Sequence, residues 1–309
     1  MKFFIALIVL LDILHIPRAE EKVSGFAFKL TKNQLTSENS AKNTKKTDEI
    51  ILPYLPIQRS GVKEPYINAK GAIVIDIPTS QTLLEKNGKN VYPIASLTKI
   101  MTAIVALENY SLDDVVTVPD SAPLMVGSKI NLRAGEKITV SNLLYGLLLY
   151  SGNDAACTLA SHIGKEKFIA KMNEKAKQLG LKTLNYFEES GLDQQNSASL
   201  KDLALLVSYA LRNQTFRQVV KTNETTIYST DKTITHPLKN TNKLLREYPG
   251  TFGVKTGFTY EAGHCLIAVV KRGNAEIMSI VLDSPSDQFI ESEKILDWTF
   301  RFYTWQNFN

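Results

Sequence analysis

Residues 93–109 read PIASLTKIMTAIVALEN, a polar stretch that runs into an apolar helical pattern. Apolar residues at positions 100, 103, 104 and 107 recur at the spacing of one helix face, which predicts a helix from Ser96 to Asn109. Ser96 and Lys99 are three residues apart, so their side chains can meet on one face of that helix. Because a serine hydroxyl is a weak nucleophile that needs a nearby base, the pair is a candidate nucleophile and general base.

A lysine can serve as that base only if its pKa is lowered. A free lysine titrates near about 10.4, and a pKa of about 7–8 requires roughly 4 kcal/mol of difference in environment. Burial against the apolar helix and a second cation, for which Lys255 is the candidate, would supply it. The free N–H groups at the start of the helix would also face a developing oxyanion.

Two further motifs follow in order, SGN at Ser151–Asn153 and KTG at Lys255–Gly257. Each motif alone is weak, because S-x-x-K also fits Ser60–Lys63 and Ser229–Lys232, and S-x-N also fits Ser37–Asn39. Only the first S-x-x-K begins an apolar helical pattern, and KTG occurs once, late in a predicted strand. The ordered set therefore predicts a serine–lysine hydrolase.

A Ser-His-Asp triad fits the chain less well. No G-x-S-x-G elbow accompanies any histidine; the first lies in the predicted signal peptide, and core or surface positions are the favoured interpretation of the other three. The four histidines are His15, His162, His236 and His264.

The order of predicted elements separates helices from strands. The segments GAIVIDI and TLLEKN predict a β-hairpin, a block of helices follows, and ETTIYS, TFGVKTGFT, GHCLIAVVKRG and AEIMSIVLDSP predict strands before a final helix. This order predicts an α+β fold with one antiparallel sheet built from both chain ends and a helical insertion between them. Ser141 is a predicted helix N-cap, Gly164 and Gly180 are predicted helix ends, and Gly273 with Asn274 predicts a tight turn.

Composition limits the partners. The net charge of +5 contains no long Lys/Arg block, so no nucleic-acid partner is expected. Cys157 and Cys265 lie in apolar runs and are expected to be buried free thiols. No CxxC motif or histidine cluster indicates a metal site.

The N-terminus predicts export. Residues 1–19 carry a positive start and an apolar run that is short for a membrane span, so they are expected to form a signal peptide. Residues 20–50 are polar and lack periodicity, which predicts a flexible tether. We expect one catalytic domain over residues 51–305, with no further C-terminal β domain. An uncleaved signal would leave the protein attached at the membrane surface.

The segments PIASLTKIMTA, LLYGLLLYSGNDAA, LKNTNKLL and GVKTGFTYEAGHCLIA resemble the low-molecular-weight penicillin-binding proteins that are D-alanyl-D-alanine carboxypeptidases. The resemblance covers roughly residues 65–300. It implies an α/β/α fold of the β-lactamase/transpeptidase type, with an antiparallel sheet flanked by helices and a helical subdomain. It also implies a periplasmic location, or one on the outer face of the bacterial cytoplasmic membrane.

The resemblance implies catalytic roles for three residues. Ser96 would attack the carbonyl between two D-alanines of a peptidoglycan stem peptide, and Lys99 would take its proton. Ser151 would relay a proton to the departing D-alanine. No metal or organic cofactor would be needed, and β-lactams would trap the serine as covalent inhibitors.

The same resemblance implies five substrate-binding residues. Asn153 would hold a peptide amide of the substrate, and Thr256 would bind its terminal carboxylate. Lys255 would tune the field around the SGN serine, and Gly257 would let the strand approach the substrate. The N–H groups of Ser96 and Phe258 would form the oxyanion hole.

Three alternatives stay open. A DD-endopeptidase of cross-linked peptidoglycan would use the same motifs. A β-lactamase would need a glutamate-activated water, which Glu189 in the stretch ESGLD imitates. A non-catalytic envelope-binding protein would not need an intact serine–lysine pair. Ser190 and Asn196 stand where the family commonly has histidines, which bears on deacylation.

Overall fold

The computed structural model describes residues 54–307, so the predicted signal peptide and tether lie outside the described residues. A five-stranded antiparallel sheet forms the centre, in the order β10-β11-β12-β2-β3. Its strands are β2 (Gly71–Asp76), β3 (Gln81–Lys86), β10 (Thr251–Thr259), β11 (Gly263–Arg272) and β12 (Ala275–Ser284). The β2–β3 hairpin and the sheet built from both chain ends confirm the predicted topology.

The sheet is covered on both faces. Along β2, Ile73 packs into one apolar cluster while Ala72 and Val74 pack into the other, as the two-residue period of a strand requires. The central strands β11 and β12 are consequently buried over most of their length. This double cover explains why their sequences are nearly continuous apolar runs.

One face of the sheet packs against the helical body of the protein, which the sequence predicted as an insertion. Its elements are α1 (Lys99–Asn109), α2 (Val140–Leu148), α3 (Asn153–Ser161), α4 (Lys165–Gln178), α5 (Leu200–Ala210) and α6 (Gln214–Val220). Short strand pairs brace this body: β4 (Val91–Pro93) with β7 (Ser197–Ser199), β5 (Val115–Thr117) with β6 (Lys137–Thr139), and β8 (Glu224–Tyr228) with β9 (Thr235–Lys239).

The other face packs against α8 (Gln288–Phe302), with the short helix α7 (Leu244–Glu247) beside it. After α8 the chain extends into β13 (Tyr303–Gln306), which pairs with β1 (Leu55–Gln58). The sequence predicted a helix throughout this end, because pairing between residues some 250 positions apart leaves no local pattern. No helix within residues 54–307 is long and apolar enough to cross a bilayer.

Three predicted helix boundaries were wrong. The helix expected from Ser96 begins as a 3₁₀ helix over Ala95–Thr98, and α1 starts only at Lys99. The N-cap of α2 is Thr139, whose hydroxyl accepts a hydrogen bond from the Asn142 N–H at 3.3 Å, so Ser141 lies inside the helix.

The helix expected to end at Gly164 instead ends at Ser161, and Gly164 is the N-cap of α4. The predicted stop at Gly180 holds, since this residue follows the C-cap Leu179 with φ of 71°. Its N–H donates to the Lys177 carbonyl at 3.0 Å, which closes the helix end.

Candidate active site

Ser96 lies in the 3₁₀ helix that connects β4 to α1, beneath the edge strand β10. Ala95, the preceding residue, has φ of 46°, a left-handed conformation that an L-residue with a side chain rarely adopts. A Cβ added at Gly257 would lie 3.3 Å from the Ser96 nitrogen, so KTG packs directly on the backbone of the serine. The local strain and this close strand fix the position of Ser96.

Gly191 approaches the same turn from the other side. It has φ of 90°, and a Cβ added there would overlap the carbonyl of Ala95 and lie 2.9 Å from the Ser96 nitrogen. Only glycine fits this position. The loop that carries Gly191 therefore packs against the turn that presents the nucleophile.

Lys99 is fully buried, and three oxygen atoms surround its side-chain nitrogen. Nζ lies 2.9 Å from Ser96 Oγ, 2.6 Å from Asn153 Oδ1 and 2.6 Å from the Ser190 carbonyl. A protonated lysine can donate to all three oxygens. A neutral lysine can donate to two of them and accept the hydroxyl proton of Ser96, so the site accommodates both protonation states.

Burial lowers the pKa of Lys99 to about 7. The carboxylates of Glu188, Glu189 and Asp154 oppose this shift and keep the pKa from falling further. The lysine is therefore close to half neutral at neutral pH, as a general base requires. The sequence predicted the direction and the role of burial.

The second lysine of the site, Lys255, is coupled to Lys99. Lys255 is itself fully buried, and burial followed by the charge of Lys99 holds its pKa well below its ordinary value. Its Nζ donates to the Thr256 carbonyl at 2.9 Å. Burial is thus the largest influence on the pKa of both lysines, and the charge of Lys99 adds to it at Lys255.

The SGN motif brings its asparagine to Lys99. Asn153 begins α3, and its Nδ2 donates to the Val126 carbonyl at 2.6 Å, which orients Oδ1 toward the lysine. Ser151 is buried with φ of 66°. Within residues 54–307 its hydroxyl makes no direct hydrogen bond to Ser96, Lys99 or Lys255.

The KTG motif lies in the edge strand β10 rather than at its end. The hydroxyl oxygens of Thr256 and Thr241 lie 2.7 Å apart, which links the strand to the LKNTN segment. Phe258 is half-exposed, and its ring stacks on His264 with centroids 4.5 Å apart. The strand presents a hydroxyl and backbone groups beside Ser96, the arrangement needed to hold an extended peptide.

The loop over residues 188–196 completes the site, and only part of its role could be read from the sequence. The carboxylate of Glu188 accepts hydrogen bonds from the N–H groups of Ser190, Gly191 and Leu192. Asn196 Nδ2 donates to that carboxylate at 2.9 Å and to the Thr98 hydroxyl at 3.2 Å.

Two residues at positions that are commonly histidine in the family therefore have defined places. Asn196 fastens the loop to the turn of the nucleophile, and Ser190 offers its carbonyl to Lys99. The unusual stretch ESGLDQQN was the only sequence signal for these contacts.

His162 and His236 lie outside this cluster, whereas His264 reaches it only by stacking on Phe258. His236 is buried between Glu136 and the Ile130 carbonyl, and His162 packs edge-on against Tyr110. The two cysteines are buried and free, as expected.

A family model for D-alanyl-D-alanine carboxypeptidases matches residues 58–286. The chain belongs to the D-alanyl-D-alanine carboxypeptidase family. Membership confirms the resemblance read from the motifs and the prediction of a peptidase. The family also accounts for the α+β fold, since solved structures of relatives superpose on it.

Three relatives illustrate the range of this family. D-alanyl-D-alanine carboxypeptidase DacF of Bacillus subtilis is 36% identical over 76% of this chain and 63% of its own length. The D-alanyl-D-alanine carboxypeptidase of Streptomyces sp. strain K15 is 37% identical over 78% of this chain and 90% of its own. A D-alanyl-D-alanine endopeptidase of Escherichia coli is 32% identical over 76% of this chain and 78% of its own length.

The Streptomyces K15 protein also has a solved structure, described as a DD-transpeptidase. It matches with a TM-score of 0.74 at 36% identity, over 78% of this chain and 100% of the solved chain. The chain therefore spans less than two thirds of the Bacillus relative and the whole of the solved Streptomyces domain.

Proposed function

We propose that this protein is a serine-type D-alanyl-D-alanine carboxypeptidase that removes the terminal D-alanine from peptidoglycan stem pentapeptides. One observation carries the proposal: the hydroxyl of Ser96 lies 2.9 Å from the nitrogen of a fully buried Lys99 whose pKa is about 7. Family membership supports the substrate class.

Acylation begins with the neutral Lys99. The Ser96 hydroxyl gives its proton to Nζ while Oγ bonds to the carbonyl carbon of the penultimate D-alanine. The N–H groups of Ser96 and Phe258 stabilise the oxyanion that develops. Close packing of Gly257 against the Ser96 nitrogen supports this assignment, because Phe258 is the next residue of the same strand.

Departure of D-alanine requires a proton at its nitrogen. Ser151 relays that proton as the C–N bond breaks, leaving an ester on Ser96. Lys255 is a buried amine on the KTG strand that tunes the field around this relay, and burial with the charge of Lys99 lowers its pKa. Asn153 and Thr256 bind the substrate amide and the terminal carboxylate.

Water then attacks the ester and releases the shortened peptide. β-Lactams mimic the same peptide and form the same ester, so they act as covalent inhibitors. The chemistry needs no cofactor, since proton transfers among Ser96, Lys99 and Ser151 balance each step.

A β-lactamase is a weaker candidate. Glu189 is fully buried, and its carboxylate pairs with Lys165 at 3.2 Å, an environment unlike that of a residue activating water at Ser96. The endopeptidase activity named for one relative is the second candidate, because it would use the same acylation steps.

The predicted signal over residues 1–19 supports action outside the cytoplasm, at the periplasmic or outer face of the membrane. An uncleaved N-terminus would hold the protein there peripherally.

Mass spectrometry of a stem pentapeptide and a cross-linked dimer after incubation tests the proposal. Loss of one D-alanine from the pentapeptide supports it. Cleavage of the dimer alone would assign an endopeptidase, and transfer of the acyl group to an added amine in preference to water would assign a transpeptidase.

A further inference from the structure

A cavity of about 340 Å³ opens on the surface of the helical body. Three chain segments line it: parts of residues 129–133, the ring of Tyr150, and residues 234–237 of β9 and the turn before it. The mechanism proposed above uses none of these residues. The position of the cavity beside the candidate active site and the charges that line it indicate which kind of ligand it binds.

Each lining segment also reaches the candidate active site. Tyr150 precedes Ser151, so their Cα atoms are only about 3.8 Å apart. The segment before Lys129 accepts two hydrogen bonds from Asn153, at Val126 (2.6 Å) and at Ser128 (2.7 Å). The cavity is therefore next to the SGN side of the site.

Strand β9 makes the third connection. It continues past Asn240 to Thr241, whose hydroxyl oxygen lies 2.7 Å from that of Thr256 in KTG. A substrate held along KTG and SGN would have the cavity within reach of its more distant residues.

His236 lines the cavity and pairs with the buried Glu136. His236 Nε2 lies 2.8 Å from Glu136 Oε1, and its Nδ1 lies 2.9 Å from the Ile130 carbonyl. Because both neighbours are acceptors, this geometry suits the imidazolium form of His236, in which both ring nitrogens donate, and the hydrogen bond to Glu136 raises the pKa of the ring. The second oxygen of Glu136 accepts from the Arg133 N–H at 3.0 Å, so each oxygen of this buried carboxylate has a hydrogen-bond partner, and an imidazolium at His236 balances its charge.

The rim is left positive. Lys129 donates one hydrogen bond to the Pro123 carbonyl at 2.8 Å and keeps two N–H groups free to donate. The side chain of Arg133 is exposed, and within residues 54–307 it takes part in no ion pair. Two cations with the hydroxyls of Tyr150 and Thr235 suit an anionic oxygen ligand, and guanidinium binds carboxylates through paired hydrogen bonds.

We propose that this cavity is a subsite for a carboxylate carried by the peptide substrate at a distance from its D-alanyl-D-alanine end. Arg133 binds the carboxylate, and Lys129 adds a second cation. A substrate already held at Ser96 presents that group at a high effective concentration, so a partly exposed site suffices. The inference rests on the proposed carboxypeptidase function.

The test compares two pentapeptides that end in D-alanyl-D-alanine and differ only in one internal carboxylate, free in one and amidated in the other. We expect wild-type kcat/KM to favour the free carboxylate by about fivefold, the size of a partly exposed ion pair. Arg133→Gln should bring that ratio close to one, while Lys167→Gln, an exposed cation on α4, should keep it. The thermal unfolding midpoint shows whether each variant is folded.

A wild-type ratio of one, or the same loss of ratio in Lys167→Gln, would overturn the subsite. A ratio of one accompanied by inhibition with an oligomer of glycerol phosphate, absent in Arg133→Gln, would assign the cavity to a phosphate polymer instead. Failure of the proposed function is distinguishable, because then neither pentapeptide would lose D-alanine.

Discussion

The side-chain nitrogen of the fully buried Lys99 lies 2.9 Å from the hydroxyl oxygen of Ser96, which stays partly exposed. The contact joins a 3₁₀ turn to the first turn of α1, so a single short segment presents both nucleophile and base. Burial supplies the lowered pKa of the base, and three carboxylates limit how far it falls. The pKa of Lys99 therefore depends on the balance between burial and these three negative charges.

Glu189→Gln should move the acid limb of the pH–rate profile to lower pH. The carboxylate of Glu189 raises the pKa of Lys99, so its removal makes the lysine neutral at lower pH. In the wild type, acylation by penicillin should rise with pH around a midpoint of about 7, the pKa of the lysine. Glu166→Gln, on an exposed face of α4, is the matched control and should leave the midpoint in place. Coincident profiles for Glu189→Gln and the wild type would contradict the electrostatic account.

Gly191→Ala should lower the acylation rate by about a hundredfold, the usual effect of displacing a reacting group by about 1 Å. The added methyl would overlap the Ala95 carbonyl and push the Ser96 turn away from Lys99. Stopped-flow measurement of penicillin acylation gives the rate. Gly180→Ala also places an alanine at positive φ but has open space around it, so it should acylate normally. Normal acylation by Gly191→Ala would show that the close packing is not needed.

Glu136→Gln should destabilise the protein by about 2 kcal/mol at low pH, with a smaller effect as the pH rises. The hydrogen bond that His236 donates to Glu136 raises the pKa of His236 above its ordinary 6.5, and the charge of Asp154 adds to the shift. A raised folded pKa gives stability that is complete below 6.5 and lost as the pH rises through the folded value. Urea denaturation of the wild type and of Glu136→Gln at a series of pH values measures the difference between their free energies of unfolding. A difference in unfolding free energy that stays constant with pH would contradict the assignment of His236 as an imidazolium.

The central hairpin and the Ser96–Lys99 pair could be predicted from the sequence, because their signals are local. The Ser96–Lys99 spacing reflects the helix period, and the β2–β3 hairpin follows from alternation around a turn. Both depend on residues within one or two turns of each other. The strand containing KTG was predicted for the same reason.

The rest depends on contacts between distant segments. The left-handed Ala95 is held by Gly191 and Gly257, which are far from it in sequence. The capping of residues 190–192 by Glu188 arises in an irregular loop, where no periodicity guides prediction. Tertiary packing at these places overrides local preference.

The identity of the nucleophile is tested most directly by intact-protein mass spectrometry after incubation with penicillin, followed by peptide mapping. The account predicts one adduct with the mass of the intact penicillin, mapped to Ser96, and none on a folded Ser96→Ala variant. An adduct on another residue, or an equal adduct on Ser96→Ala, would contradict it.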